Sequence, residues 1–311
     1  MSVIISVAFA PDSKQVAAVS TTGDLLMWNL EHSRSVTREP VVFKLDNNDK
    51  ELMKQAYHVS FGTNDLLLVG RGTTLYYIDA VIFQRTSIQN LGCDPEFLIR
   101  RISVPSALTS LAAFGDLALI GGADKSLCRI HNDGRMVRKT TLESPVTCMR
   151  LADVRTVVVG TQAGELLLVD IETFSVKSKT SGQPCPVENI SVDPHGNWFA
   201  ALVGSTVISG STKSLVSVFE TKITGSALCI DFVKVASSGL SLVLGSPVPT
   251  LRLLPLDLSS EPTTRLQFDT VNDLCGVTCM ASSGGLLAVA GVGSHVLVLS
   301  NFSVVFRLRV A

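Results

Sequence analysis

Apolar residues along this chain come in short runs, and almost none of the runs follows the i, i+3, i+4, i+7 spacing of an amphipathic helix. Val, Ile, Leu, Ala and Thr dominate them, and Gly, Ser, Asp, Asn or Pro bound them. Such runs, closed by turn-forming residues, are the pattern of β-strands joined by tight turns. The pattern therefore predicts an all-β chain.

The runs also group. A unit of apolar strand, turn, strand ending in a small residue, turn, strand, loop and strand begins at Val3 (VIISVAF, QVAAVS, LLMWNL, VVFKL). It begins again near Ala56 (AYHVSF, LLLVG, TLYYID, VIFQRT), Ala107, Val146, Val187, Ala227 and Leu274. Seven units of about 44 residues match the period of propeller blades. One strand cannot bury both of its faces, whereas four strands stacked radially on their neighbours can. The expectation is a seven-bladed β-propeller with four antiparallel strands per blade, occupying residues 1–311 as a single domain.

Two details refine this picture. The second strands end in Gly (Gly70, Gly121, Gly160, Gly204, Gly245, Gly291), which suggests positive φ where the chain reverses. Pro11-Asp12-Ser13 and Pro194-His195-Gly196 place Pro at the second position of a type I turn, which its fixed φ suits. Residues 303–310 read as the last strand of the last blade, and residue 3 onward as the first strand of the first. Closure is thus expected by packing blade one on blade seven, with no backbone pairing across the junction. Trp198 and Phe199 are expected in the blade core.

Composition narrows the function. Of 311 residues 46% are hydrophobic and 17% charged, and the formal net charge is −1. A nucleic-acid binder carries a stripe of Lys and Arg; the longest basic cluster here is Arg100-Arg101, so RNA contact is expected only indirectly, through partners. The seven Cys form an odd set lying mostly within apolar strands, and no signal peptide opens the sequence, so reduced thiols are expected rather than a disulfide framework. The most apolar run, residues 285–300, is broken by Gly291, Gly293, Ser294 and His295, and reads as two strands rather than a membrane span; no membrane partner is expected.

No catalytic, cofactor-binding or metal-binding set emerges. GxxxxGK[ST] is absent, and the glycines of GVGSHV lie on a hairpin with no helix to follow them. Cys275 and Cys279 fall on one face of a strand roughly 13 Å apart, too far for one zinc ion. Nucleophile-elbow motifs are missing, and His195 beside Asp193 reads as turn chemistry. Scattered acids such as Asp12, Asp24, Asp79, Asp170 and Asp257 suit turn capping. The inner strands look nearly all apolar, which argues against an enzyme using the central funnel.

Four-stranded blades, the APDSK turn (residues 10–14) and LLMWNL (residues 25–30) resemble the WD40 family. In that family the third strand ends in Trp-Asp. Here Met27-Trp28-Asn29 comes near, while Ile78-Asp79, Val169-Asp170 and Leu256-Asp257 keep only the Asp. The Gly-His pair of the family is missing, for the five His stand at 32, 58, 131, 195 and 295. The family's polar network cannot form, so apolar packing must hold the blades, in keeping with a mean hydropathy of +0.37. Within the group, the APDSK turn that opens the first blade, the connection GCDPEFLIRR (residues 92–101) and the closing run AGVGSHVLVLSNFSVVFRL (residues 290–308) are similar to the propeller subunits of the THO complex, the nuclear assembly that couples transcription to messenger RNA export. That likeness implies a non-catalytic scaffold in a multiprotein complex, with THO subunits as partners and the nucleus (alternatively the cytoplasm) as location. Scaffolds of ubiquitin ligation or vesicle trafficking, and a propeller-type enzyme, stay open as alternatives.

Two inserts exceed ordinary propeller loops. DNNDKELMKQ (residues 46–55) suits one helical turn carrying Leu52 and Met53. TSIQNLGCDPEFLIRRISVPS (residues 86–106) carries Phe97, Leu98 and Ile99 beside Arg100 and Arg101, an apolar cluster flanked by Arg of the kind found in interface hot spots. These seven residues are the candidate protein-interaction set; a loop folding back on its own propeller is the alternative.

Overall fold

The computed structural model describes residues 3–31, 37–38, 40–44, 57–81, 99–215, 218–235, 239–254, 264–267, 274–293 and 295–310. Seven antiparallel sheets stand in a ring. Blade 1 runs β1 (Ile4–Phe9), β2 (Gln15–Ser20) and β3 (Asp24–Asn29), then, past the short β4 (Thr37–Arg38), β5 (Val41–Lys44). Blade 2 holds β6 (Tyr57–Phe61), β7 (Leu66–Arg71), β8 (Thr74–Asp79) and β9 (Ile99–Ser103). Blade 3 holds β10 (Leu108–Phe114), β11 (Leu117–Gly122), β12 (Ser126–His131) and β13 (Met136–Thr141). Blade 4 holds β14 (Val146–Leu151), β15 (Thr156–Thr161), β16 (Leu166–Asp170) and β17 (Val176–Lys179), and blade 5 holds β18 (Val187–Val192), β19 (Trp198–Val203), β20 (Thr206–Ser211) and β21 (Val218–Lys222). Blade 6 holds β22 (Cys229–Val235), β23 (Gly239–Gly245), β24 (Thr250–Leu254) and β25 (Thr264–Gln267). Blade 7 holds β26 (Leu274–Ser283), β27 (Leu286–Gly293), β28 (His295–Ser300) and β29 (Ser303–Arg309).

The first strand of each blade touches the first strand of the next, and β26 returns to β1, so the inner strands enclose a central channel. Blade boundaries follow the repeat read from the sequence, with one correction. The fourth place in blade 2 belongs to Ile99–Ser103, paired with β8, and not to residues 81–86.

Cohesion is apolar, junction by junction. Seven buried clusters each span one pair of neighbouring blades. The one that closes the ring joins Ile4, Val7, Val16 and Trp28 of blade 1 to Ala288, Val296, Val298 and Leu308 of blade 7. Burying each large side chain among them contributes roughly 1.5–3 kcal/mol.

The glycines ending the second strands do a different task from the one expected. Positive φ occurs only at Gly204 among the six. Gly70, Gly121, Gly160 and Gly245 make room for the inner strand of the next blade, and Gly291 for the inner strand of its own. A Cβ added at Gly70 would lie 2.6 Å from Leu108 Cδ1, and one at Gly160 would lie 2.6 Å from Val187 Cγ1. Carbon atoms pack best at about 3.5–4.0 Å, so a side chain there would push the next blade outward.

Turns follow the sequence reading. Ser13 N–H donates to Ala10 O at 2.9 Å, and Gly196 N–H to Asp193 O at 2.8 Å, closing the two Pro-led turns. Asp170 caps its turn by accepting from the amides of Glu172 (3.0 Å) and Thr173 (2.9 Å). The Thr173 amide, then Lys177, hold the Asp170 carboxyl well below the usual carboxylate range.

Closure corrects a second expectation. β29 pairs with β28 inside its own blade, as the boundaries require. Backbone pairing nevertheless crosses the junction. Thr37 and Arg38 lie parallel to Arg307 and Leu308 as a fifth strand on the outer edge of blade 7, and Val3 bridges Val292 on the inner side. Each pairing is short, so the apolar cluster remains the main tie.

Candidate interaction site at the channel mouth

The inner edge of each blade faces the channel, where strand N–H and C=O groups lack a ladder partner. Adjacent blades supply the partners, through side chains at six junctions and through a backbone carbonyl at the seventh. Val59 N–H donates to Ser6 Oγ and Ala113 N–H to Ser60 Oγ, both at 3.1 Å. Phe232 N–H donates to Ser191 Oγ at 3.2 Å. Thr109 Oγ1 donates to Val146 O, and Thr278 Oγ1 to Ile4 O, each at 2.6 Å. Cys148 Sγ reaches Val187 O at 3.5 Å, and Val277 N–H donates to Ser246 O at 2.8 Å. Each of the seven junctions thus carries a hydrogen bond beside its apolar cluster.

At the end where the inner strands pass into their first turns, the channel widens to a cavity of about 260 Å³. Phe9, Ser60, Arg150, Ser191, Asp231 and Ser282 are among the residues that line it. The inner strands are therefore not uniformly apolar, which corrects the sequence reading. Arg150 is exposed, and its one hydrogen bond to a described residue is a long one, 3.4 Å from Nη1 to Met149 O. Asp231 is partly buried. It accepts from Ser191 Oγ and, at 2.9 Å, from the Phe232 amide. Desolvation raises the Asp231 carboxyl, while Ser191, Arg150, the Phe232 amide and Ser282 work to lower it. His58, in the blade 2 wall, is pushed down to about 4 by burial first and by the Arg150 charge second, so its imidazole is neutral near pH 7.

These groups make a binding environment with little reactive chemistry. The Ser191 hydroxyl is occupied on both sides, donating to Asp231 and accepting from Phe232. Burial pushes the thiols of Cys148 and Cys279 up to about 12, far from the thiolate needed for nucleophilic work. All six described cysteines are free. Among the described residues no three His, Cys, Asp or Glu side chains gather as a metal site, and no helix is long and apolar enough to cross a membrane.

The residues singled out in the sequence divide. Leu52, Met53, Phe97 and Leu98 lie outside the described residues. Ile99, Arg100 and Arg101 form the start of β9, on the outer wall. Arg100 Nη2 donates to Asp133 O of blade 3 at 2.5 Å, and the Arg101 guanidinium sits 5.7 Å from the Tyr76 ring centre. Phe199 is buried as expected, but Trp198, beside it, is 42% exposed. Position along the strand explains the difference: Trp198 is the first residue of β19, while Ala200 and Leu202, which share its face, are fully buried. The Arg150–Asp231–Ser191 convergence escaped sequence reading; its one local sign was a charged residue inside the apolar run SPVTCMRL.

Fold and site together define a seven-bladed β-propeller, consistent with a WD40-like one. No family model matches the chain, and neither does any curated protein.

Proposed function

We propose that this chain is a non-catalytic scaffold for other protein subunits, and that it serves in a THO-type nuclear assembly acting in messenger RNA processing and export. The propeller fold, a general platform for protein association, supports the first part. The observation that carries it is the commitment of the channel's hydroxyls and thiols to holding blades together, with no activated nucleophile beside a base among the described residues. The likeness of the APDSK turn (residues 10–14), the GCDPEFLIRR connection (residues 92–101) and the closing run at residues 290–308 supports the THO assignment.

RNA contact belongs to the partners on this reading. Three lysines of the outer wall are engaged within the chain, Lys139 with Asp124 at 3.5 Å, Lys177 with Asp170 at 3.0 Å and Lys179 with Glu143 at 3.0 Å, and the remaining cations form no run longer than Arg100-Arg101. A phosphate backbone needs a run of uncommitted Lys and Arg. Affinity purification of the tagged chain from nuclear extract tests the reading. THO subunits in matching amounts support it; a stable set of ubiquitin-ligase or vesicle-coat subunits refutes it.

A further inference from the structure

The cavity around Arg150 lies at the same end of the ring as the turns joining first to second strands. Two of those turns, in blades 4 and 5, meet there: a Cβ added at Gly196 would fall 2.0 Å from Ala152 O. Val154 in the blade 4 turn is 64% exposed, and Trp198, which opens β19 of blade 5 just after its turn, is 42% exposed. Pro194 and His195 are exposed beside them. Neither Val154 nor Trp198 belongs to the buried cluster between blades 4 and 5, and each follows within a few residues of one that lines the cavity, Leu151 or Val192.

The cavity offers one uncommitted cation. Arg150 presents its fork of donors to the lumen and has no carboxylate within ion-pair distance among the described residues. Asp231, which lines the same cavity, accepts from Ser191 Oγ and from the Phe232 amide through Oδ1 and makes no ion pair with Arg150. His58 carries no charge to add to or oppose. A volume of about 260 Å³ admits a side chain or two rather than a large metabolite. Arginine matches a carboxylate with two parallel hydrogen bonds.

We propose that this mouth receives an acidic side chain from an extended segment of a partner protein, with Arg150 as the carboxylate's partner and Trp198 and Val154 as the apolar contact at the rim. The proposal rests on the scaffold reading and adds to it the face used and the chemistry recognised.

A randomised heptapeptide library displayed on phage, selected on the purified full chain, tests it. Enriched peptides should share one fixed Asp or Glu. Synthesised peptides from that set should lose about tenfold or more in affinity on Arg150→Gln, and equally on changing their own Glu to Gln. Trp198→Ala should weaken them a few-fold. Asp231→Asn should strengthen them, because it removes the one negative charge near the bound carboxylate; a merely structural Arg150 would not respond in this way. If Arg150→Gln lowers the melting temperature, Arg150→Lys supplies the readout: it keeps the charge, loses the fork and should still weaken binding. Absence of enrichment, enrichment without a fixed acid, equal binding to Arg150→Gln, or displacement of the peptides by a uridine oligonucleotide or by millimolar acetate would each overturn the proposal. Such a failure alongside intact co-purification of partner subunits would leave the scaffold reading standing.

Discussion

Gly70 is the penultimate residue of β7, and Leu108, at the head of the next blade's inner strand, packs onto it. A Cβ placed on Gly70 would lie 2.6 Å from Leu108 Cδ1, 3.2 Å from Cδ2 and 3.5 Å from Cγ. Leu108 is 5% exposed and belongs to the cluster between blades 2 and 3, so it has little room to retreat. Restoring an ordinary carbon–carbon contact needs a shift of about 1 Å. Overpacking of that order costs about 1–3 kcal/mol. Leu108→Ala removes all three close atoms and by itself costs about 2–5 kcal/mol as a cavity. In the double variant the new methyl enters the space the leucine vacated, so the combined loss should fall short of the sum by about 1 kcal/mol or more. Urea unfolding of wild type, both single variants and the double, read by fluorescence and circular dichroism together, supplies the cycle. Additivity within about 0.5 kcal/mol would refute the claim that this glycine exists for close approach of the next blade.

Four further outcomes follow from the same packing and electrostatics. Trp28 is 1% exposed and its Nε1 has no hydrogen-bond partner among the described residues, so Trp28→Phe should change stability by less than about 1 kcal/mol while Trp28→Ala costs about 3–5, as thermal melts will report. His58 titrates near 6.5 when unfolded and about 4 when folded; the neutral ring therefore contributes stability above pH 6.5, at most about 3 kcal/mol, which is lost as pH falls toward 4, and a titratable-free His58→Gln should flatten that limb of the stability–pH curve. Exposed Cys185 and Cys275 should alkylate at neutral pH well before Cys148 and Cys279, whose thiols burial pushes up to about 12, a ranking that mass spectrometry of iodoacetamide adducts reads directly. Arg38→Pro should abolish the two-residue pairing with Arg307 and Leu308 and speed amide exchange across Ser303–Arg309, leaving the inner strands of blade 7 unchanged.

The blades were legible because each repeats the same alternation of apolar strand and turn residue, and that repetition survives the loss of Trp-Asp in most copies. Blade 2 misled the reading for a local reason. VIFQRT and IRRIS are both rich in β-branched or apolar residues, and nothing in composition says which one pairs with β8. The glycines misled it for another: a Gly in sequence signals either unusual φ or close approach, and only the distance to Leu108 or Val187 separates the two. A two-residue fifth strand at Thr37–Arg38 leaves no periodic trace at all. The channel mouth was hidden by sequence distance, since Arg150, Ser191 and Asp231 stand some forty residues apart, each inside an apolar run, and only the curvature of the ring brings them to one lumen. Trp198 beside Phe199 shows the limit of reading burial from hydrophobicity: both faces of β19 are packed, but its first residue stands at the end of the blade and meets water.

Native-state hydrogen exchange tests the central claim most directly, namely that apolar contacts at all seven junctions bind the blades into one closed ring. The account predicts that amides of the first three strands of every blade, β1–β3 and β26–β28 included, become exchangeable through a single common opening of similar free energy. Independent, much easier opening of blades 1 and 7 at their shared junction would contradict it.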